Sequence, residues 1–314
     1  MASLSQWVEG ARPKTLPAAL APVAAGTGVA VWQLGELSGS ADWALVIPRA
    51  LLALAVSFSL QIGVNFANDY SDGIRGTDDD RVGPFRLTGS GAARPATVKR
   101  AAIISLALGG LFGVVLVAVA QMWWALVVGA AAIAAAWSYT GGRKPYGYLG
   151  LGELFVFVFF GLVAVNGTAL AITGRPSWAA LLASVAIGLL AVALMLTNNL
   201  RDIPTDSVTG KTTLAVRLGD TRTRQLYLGL FGVTILCTLL MAIWRPWAPI
   251  GLIGLVIAWP GIQASAALLG MALTPCPATP RALEAGRLQK RGSPTGGFNL
   301  QPHWPGQLSP ERWS

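Results

Sequence analysis

Two short clusters of oxygen-bearing side chains carry most of the chemistry that the chain could perform. The first is Asn65-Phe66-Ala67-Asn68-Asp69-Tyr70-Ser71-Asp72, running on to Asp78, Asp79 and Asp80. The second is Asn198-Asn199-Leu200-Arg201-Asp202-Ile203-Pro204-Thr205-Asp206. Only 14 residues of 314 are Asp or Glu, and half of them fall in these two clusters. On a helix, residues three and four apart share a face. Asn65, Asn68, Asp69 and Asp72 therefore form one polar stripe. Asn199, Asp202 and Asp206 repeat it, provided that helix persists past Pro204, which should loosen the preceding turn.

Carboxylates and carboxamides are hard oxygen donors, suited to Mg²⁺ rather than zinc. Mg²⁺ takes one or two carboxylates and completes its shell with waters and substrate phosphates. Basic residues follow each cluster: Arg75, Arg81 and Arg86 after the first, Lys211 and Arg217 after the second, with Arg143 and Lys144 in a third loop. Guanidinium groups match phosphate oxygens in pairs. Two facing clusters could thus hold two Mg²⁺ ions bridged by a diphosphate. A single acid at such a place reads better as a cap or an ion-pair partner, and Asp79 and Asp80 read as solvated loop charge. Two Asn-plus-Asp clusters in matching positions are poorly explained that way. Glu153, an isolated acid, and Tyr139, Tyr146 and Tyr148 stand between structural and functional readings. The lone His303 lies in a Pro-rich tail, and Cys237 and Cys276 give no disulfide framework.

The elements that position these clusters are apolar. The chain is 54% hydrophobic and 12% charged, where a soluble domain carries about 25% charge. Long apolar runs near the roughly 20 residues needed to cross a bilayer predict an all-α polytopic transmembrane helical bundle. Eight spans are predicted, at 16–34, 44–66, 100–120, 122–140, 151–173, 178–198, 225–244 and 248–271. Pro13, Pro17 and Pro22 predict an irregular entry to the first. With the N-terminus in the cytoplasm, all but Arg49, Arg175 and Arg245 of the 23 Lys and Arg residues fall on the cytoplasmic side, as the positive-inside rule requires. The net charge of +9 is then topogenic, with no nucleic-acid partner implied. Both acidic clusters lie at cytoplasmic span ends, in a cell membrane protein whose polar substrate arrives from that side. Trp123, Trp124 and Trp247 read as interfacial anchors. A weak repeat relates residues 50–100 to 178–224. A membrane domain over 1–271 is followed by a Pro-rich tail over 272–314 that reads as disordered.

The two clusters resemble the paired aspartate-rich motifs of the UbiA-type intramembrane prenyltransferases. The first match is Asn68-Asp69-Tyr70-Ser71-Asp72 with Gly76 and Asp78. The second is Asn199-Leu200-Arg201-Asp202-Ile203-Pro204-Thr205-Asp206, followed by Gly210-Lys211-Thr212-Thr213 and Arg217-Leu218-Gly219. Three features are similar to the branch that prenylates 1,4-dihydroxy-2-naphthoate in menaquinone synthesis. These are Trp7…Arg12-Pro13-Lys14-Thr15-Leu16-Pro17, the first motif with its trailing Arg81-Val82-Gly83-Pro84, and Asn198-Asn199-Leu200-Arg201-Asp202. The resemblance spans residues 5–271. It implies nine helices around a lipid-accessible cavity, one more than the spans read here. It also implies a polyprenyl diphosphate held through Mg²⁺ by Asp69, Asp72, Asp202 and Asp206, with Asn68, Asn199 and Asp78 assisting. Arg75, Arg81, Arg143, Lys144 and Lys211 would bind the diphosphate, with Asn68 and Asn199 also touching substrate. The implied reaction joins the chain to the naphthoate with loss of CO₂, giving demethylmenaquinone. Within the superfamily, 4-hydroxybenzoate, homogentisate, haem or chlorophyllide are alternative acceptors. A cation-coupled transporter is disfavoured because the acids sit at span ends rather than at a midplane site.

Overall fold

A computed structural model of the chain describes residues 2–75, 85–142 and 144–243. Among them there is no strand. A short helix α1 (Leu4–Gly10) is capped by Ser3, whose hydroxyl accepts from the Gln6 amide while Gln6 closes the reciprocal bond. The chain then turns through Arg12 at φ +55° into a 3₁₀ turn, Pro13–Thr15. This is the predicted irregular entry: Pro13 bars its predecessor from right-handed helix.

The long helices follow: α2 (Leu16–Ser38), α3 (Trp43–Gly73), α4 (Pro95–Ala120), α5 (Ala125–Ser138), α6 (Gly152–Thr173), α7 (Trp178–Val208) and α8 (Leu214–Ile243), the last broken at Gly219. Residues 157–163 of α6 are wound as π-helix. The first seven predicted spans each correspond to one of these. Among the described residues, six helices are long and apolar enough to cross a membrane. The predicted span 122–140 is shorter than expected, a helix of 14 residues. The eighth span and the tail beyond it lie outside the described residues, as does Trp247.

α3 and α7 overrun their predicted spans by two to three turns, and these extensions carry the two acidic clusters. α7 continues through Pro204 to Val208. The helical condition for the Asn199, Asp202 and Asp206 stripe is therefore met.

Packing pairs α3 with α4 and α7 with α8, while α2 lies against α3, α6 and α7. Lipid gives helices no hydrophobic reason to associate, so small residues that allow close backbone approach do the joining. A Cβ on Gly161 would stand 2.6 Å from the Ser184 carbonyl and 2.7 Å from Gly188 Cα, joining α6 to α7. One on Gly26 would stand 2.5 Å from the Val165 carbonyl, joining α2 to α6. Large apolar side chains such as Leu111, Val127, Leu154 and Leu236 remain exposed on the outside. Trp43, Trp123, Trp124 and Trp178, all more than half exposed, mark helix ends remote from the acidic clusters, the position of an interfacial girdle.

Candidate active site

The last two turns of α3 divide their polar side chains among three directions. Asn65 turns to the N-terminal segment, where its Nδ2 donates to the Ala11 carbonyl (2.9 Å) and to Thr15 Oγ1 (3.0 Å). Asn68 and Asp72 face a central cavity. Asn68 Oδ1 accepts from Thr140 Oγ1 at 2.7 Å. Asp72 Oδ1 accepts from the Tyr148 hydroxyl at 2.8 Å, and its Oδ2 lies 3.5 Å from Arg86 Nη2. Asp69, one residue from Asn68 and so about 100° around the helix, points to neither. It is 1% exposed, and its two oxygens accept the backbone N–H groups of Leu87 (2.7 Å) and Thr88 (2.8 Å). It does not line the cavity.

α7 supplies the facing cluster. Asn199 and Asp202 line the same cavity. Asn199 Nδ2 donates to Glu153 Oε1 at 2.8 Å, and Asp202 receives Arg201 through Nε (2.7 Å) and Nη2 (3.1 Å). Asp206 is buried one turn further on and pairs with Lys211 Nζ at 3.5 Å. Lys211 reaches the cavity wall; Asp206 does not.

The other basic candidates separate. Arg75 donates to the Thr140 carbonyl and, at 2.6 Å, to the Gly142 carbonyl, which ties the end of α3 to that turn and away from the cavity. Lys144 is exposed and outside the wall. Arg81, Arg143 and Asp78 lie outside the described residues. Arg86, 8% exposed, lines the cavity beside Asp72 although only its position after the first cluster singled it out. Arg12, Lys14 and Arg201 line it too.

Tyr148 ties the two motifs together. Its hydroxyl holds Asp72, and its carbonyl accepts from the Thr212 amide (3.1 Å) and hydroxyl (2.8 Å). Its ring lies under Lys211 (5.6 Å) and Arg75 (5.5 Å). No periodicity marks this residue, because it sits in a 3₁₀ turn, Tyr146–Leu149. Nearby, Tyr146 stacks on Phe155 at 4.0 Å, and burial raises its phenol above the ordinary value, so it stays neutral.

The cavity has a volume of about 1160 Å³, beyond the roughly 300–1,000 Å³ usual for small-molecule sites. One part of its wall is polar, at Asn68, Asp72, Arg86, Asn199, Asp202 and Lys211; the remainder is apolar, at residues such as Leu60, Val117, Ile133, Phe159 and Val163. The site therefore suits an amphiphile with an anionic head and a long apolar tail. The donor set also fits Mg²⁺. It is all oxygen, and among the described residues no three acidic, His or Cys side chains converge. One or two carboxylates per ion, completed by water and ligand oxygens, is how Mg²⁺ is held.

Comparison with known proteins places this geometry. Residues 18–270 match the model of the UbiA prenyltransferase family. The chain is 56% identical over 258 residues to a 1,4-dihydroxy-2-naphthoate octaprenyltransferase of Mycobacterium tuberculosis, covering 82% of this chain and 85% of that protein. It is 44% identical over 237 residues to the Escherichia coli protein of the same name, covering 74% of each. The solved structure of a UbiA homolog from Archaeoglobus fulgidus bound to GPP and Mg²⁺ superposes with a TM-score of 0.60 at 15% identity, over 95% of this chain and 91% of that one.

Proposed function

The chain belongs to the UbiA prenyltransferase family, and from that premise we propose that it joins a polyprenyl chain to 1,4-dihydroxy-2-naphthoate with loss of CO₂. The products are diphosphate and demethylmenaquinone in its reduced, quinol form. One observation carries this reading: a single cavity has both acidic motifs at its polar part and a long apolar remainder. The names of the M. tuberculosis and E. coli relatives support the acceptor.

Asn68 and Asp72 would hold Mg²⁺ on one side, and Asn199 and Asp202 on the other, with Asp206 behind Lys211. A bound ion would supply positive charge against the departing diphosphate. Arg86 and Lys211 take diphosphate oxygens in the cavity wall. Asp78, Arg81 and Arg143 join the same clamp by motif position, while Arg75 and Lys144 support the loops around it. Heterolysis of the allylic C–O bond sends its electron pair to the diphosphate and leaves an allylic cation. The apolar wall keeps water from that cation, and Phe155 and Phe159 offer it aromatic surface. A ring carbon of the electron-rich naphthoate attacks the cation, forming the C–C bond. The ring proton displaced at that carbon is balanced by the proton taken up where CO₂ departs. Arg12 and Lys14 give the wall cations suited to a carboxylated ring. The mouth opens to the cytoplasm in a cell membrane, as the distribution of Lys and Arg supports.

The test is an assay of membranes containing the protein, supplied with dihydroxynaphthoate, octaprenyl diphosphate and Mg²⁺. Prenylated naphthoquinone, CO₂ and diphosphate are expected, and chelation should abolish all three. Prenylation of 4-hydroxybenzoate in place of the naphthoate would overturn the acceptor assignment.

A further inference from the structure

The Asp69 carboxylate is spent on backbone. Its Oδ2 accepts from the Leu87 amide at 2.7 Å and its Oδ1 from the Thr88 amide at 2.8 Å, with the side chain 1% exposed. The segment that it grips is also held by packing. Leu87 is fully buried against Phe66, Val98 and Ala102, so close to α1 that a Cβ on Gly10 would stand 2.6 Å from Leu87 Cδ1. The turn closes on itself where the Ala93 amide donates to the Leu87 carbonyl at 3.0 Å. Arg86 immediately precedes the gripped pair. It lines the cavity, with its Nη2 at 3.5 Å from Asp72 Oδ2.

We propose that Asp69 is a positioning residue: it fixes the Leu87–Thr88 backbone and thereby presents Arg86, beside Asp72, to the diphosphate. Asp72 and Asp202 line the cavity, whereas Asp69 faces away from it with each oxygen on a backbone amide. The two adjacent aspartates of the first motif thus do different work. Asp72 meets the ligand. Asp69 builds the wall that carries its cationic partner. The diphosphate in this statement rests on the function proposed above; the grip on Leu87 and Thr88 does not.

Hydrogen exchange followed by mass spectrometry on the full chain in nanodiscs separates the two. In the unmodified protein, amides 87 and 88 should be protected, and adding Mg²⁺ with inorganic diphosphate should leave them so. Exchange that accelerates on that addition would mean that Asp69 leaves the amides for the metal, and would overturn the proposal. Asp69→Asn, which keeps one acceptor oxygen, and Asp69→Ala, which keeps none, should raise exchange at these amides in that order, by about tenfold or more for the latter. Asp72→Ala should not raise it. Unchanged exchange in Asp69→Ala refutes the grip, whatever reaction the protein catalyses. For turnover, Asp69→Ala and Arg86→Ala should each raise KM for polyprenyl diphosphate by about tenfold, and the double variant should be little worse than either, since the two act as one unit. The Mg²⁺ concentration giving half-maximal rate should stay put in Asp69→Ala and rise in Asp72→Ala. Additive losses, or an equal Mg²⁺ shift in both, would return Asp69 to the metal.

Discussion

Removing the Asp72 carboxylate takes away an acceptor of the Tyr148 hydroxyl at 2.8 Å and an ion-pair partner of the Arg86 guanidinium at 3.5 Å. Among the described residues it also removes one of the two motif carboxylates that face the cavity, the other being Asp202. Asp72→Ala and Asp202→Ala should each lower turnover on the order of a hundredfold or more in the prenyl-transfer assay, with unchanged amounts of inserted protein on membrane blots. Near-normal turnover in either would remove it from the proposed clamp. Glu153 acts one step back. It is 6% exposed, and its Oε1 receives the Asn199 amide, which leaves Asn199 Oδ1 available to a ligand. Glu153→Leu should raise the Mg²⁺ requirement by about 10–100-fold, and Glu153→Gln, which still offers an acceptor oxygen, should recover most of it in a Mg²⁺ titration. At this scale the spacing of the motif showed which side chains share a helix face. It did not separate Asp69 from Asp72, nor Arg75 from Arg86. Those assignments depend on where residues 86–88 and 140–142 return to α3, contacts distant in sequence.

Helices α3 and α7 hold the motifs because both run beyond their apolar spans; the extra turns of α3 are mostly buried, while in α7 Asp202 and Asp206 turn inward and the residues between them are more open. The seam between α6 and α7 sets how far apart the two halves stand. Gly161→Leu would drive a side chain into the Ser184 carbonyl and Gly188, from Cβ distances of 2.6 and 2.7 Å. Overpacking of that kind costs about 1–3 kcal/mol, read as a lowered melting temperature in detergent. Gly229→Ala on α8, whose Cβ would meet nothing within 4 Å, should hold or slightly raise that temperature, since it removes helix-interior glycine. A pattern of apolar runs and small residues made these helices legible. Two features were not: the passage of α7 through Pro204, and the π-wound stretch 157–163 in the cavity wall. Local preference argues against both; the π-wound stretch is packed against α7, and around the exposed Pro204 it is Asp202 and Asp206 that are buried.

Among the described residues one cavity of about 1160 Å³ has both polar and apolar parts, and the apolar part should set the isoprenoid length it accepts. Gly113 lines that part, its nearest neighbour Val56 Cγ2 4.0 Å from a Cβ placed there. Gly113→Phe should therefore lower kcat/KM for octaprenyl diphosphate by about tenfold or more while geranyl diphosphate is used nearly as before, since the loss is of tail volume rather than of the clamp. Equal loss for both substrates would mean that the tail runs elsewhere. The sequence by itself determined the membrane class, the two oxygen-rich clusters and their kinship to a prenyltransferase family, because composition and helical spacing are local properties. Only the tertiary structure decided which members of each cluster meet in the cavity. A helix face has a direction only once its neighbours are packed, and Asp69, Asp72 and Arg86 take their separate duties from a turn that closes on α3 eighteen residues downstream.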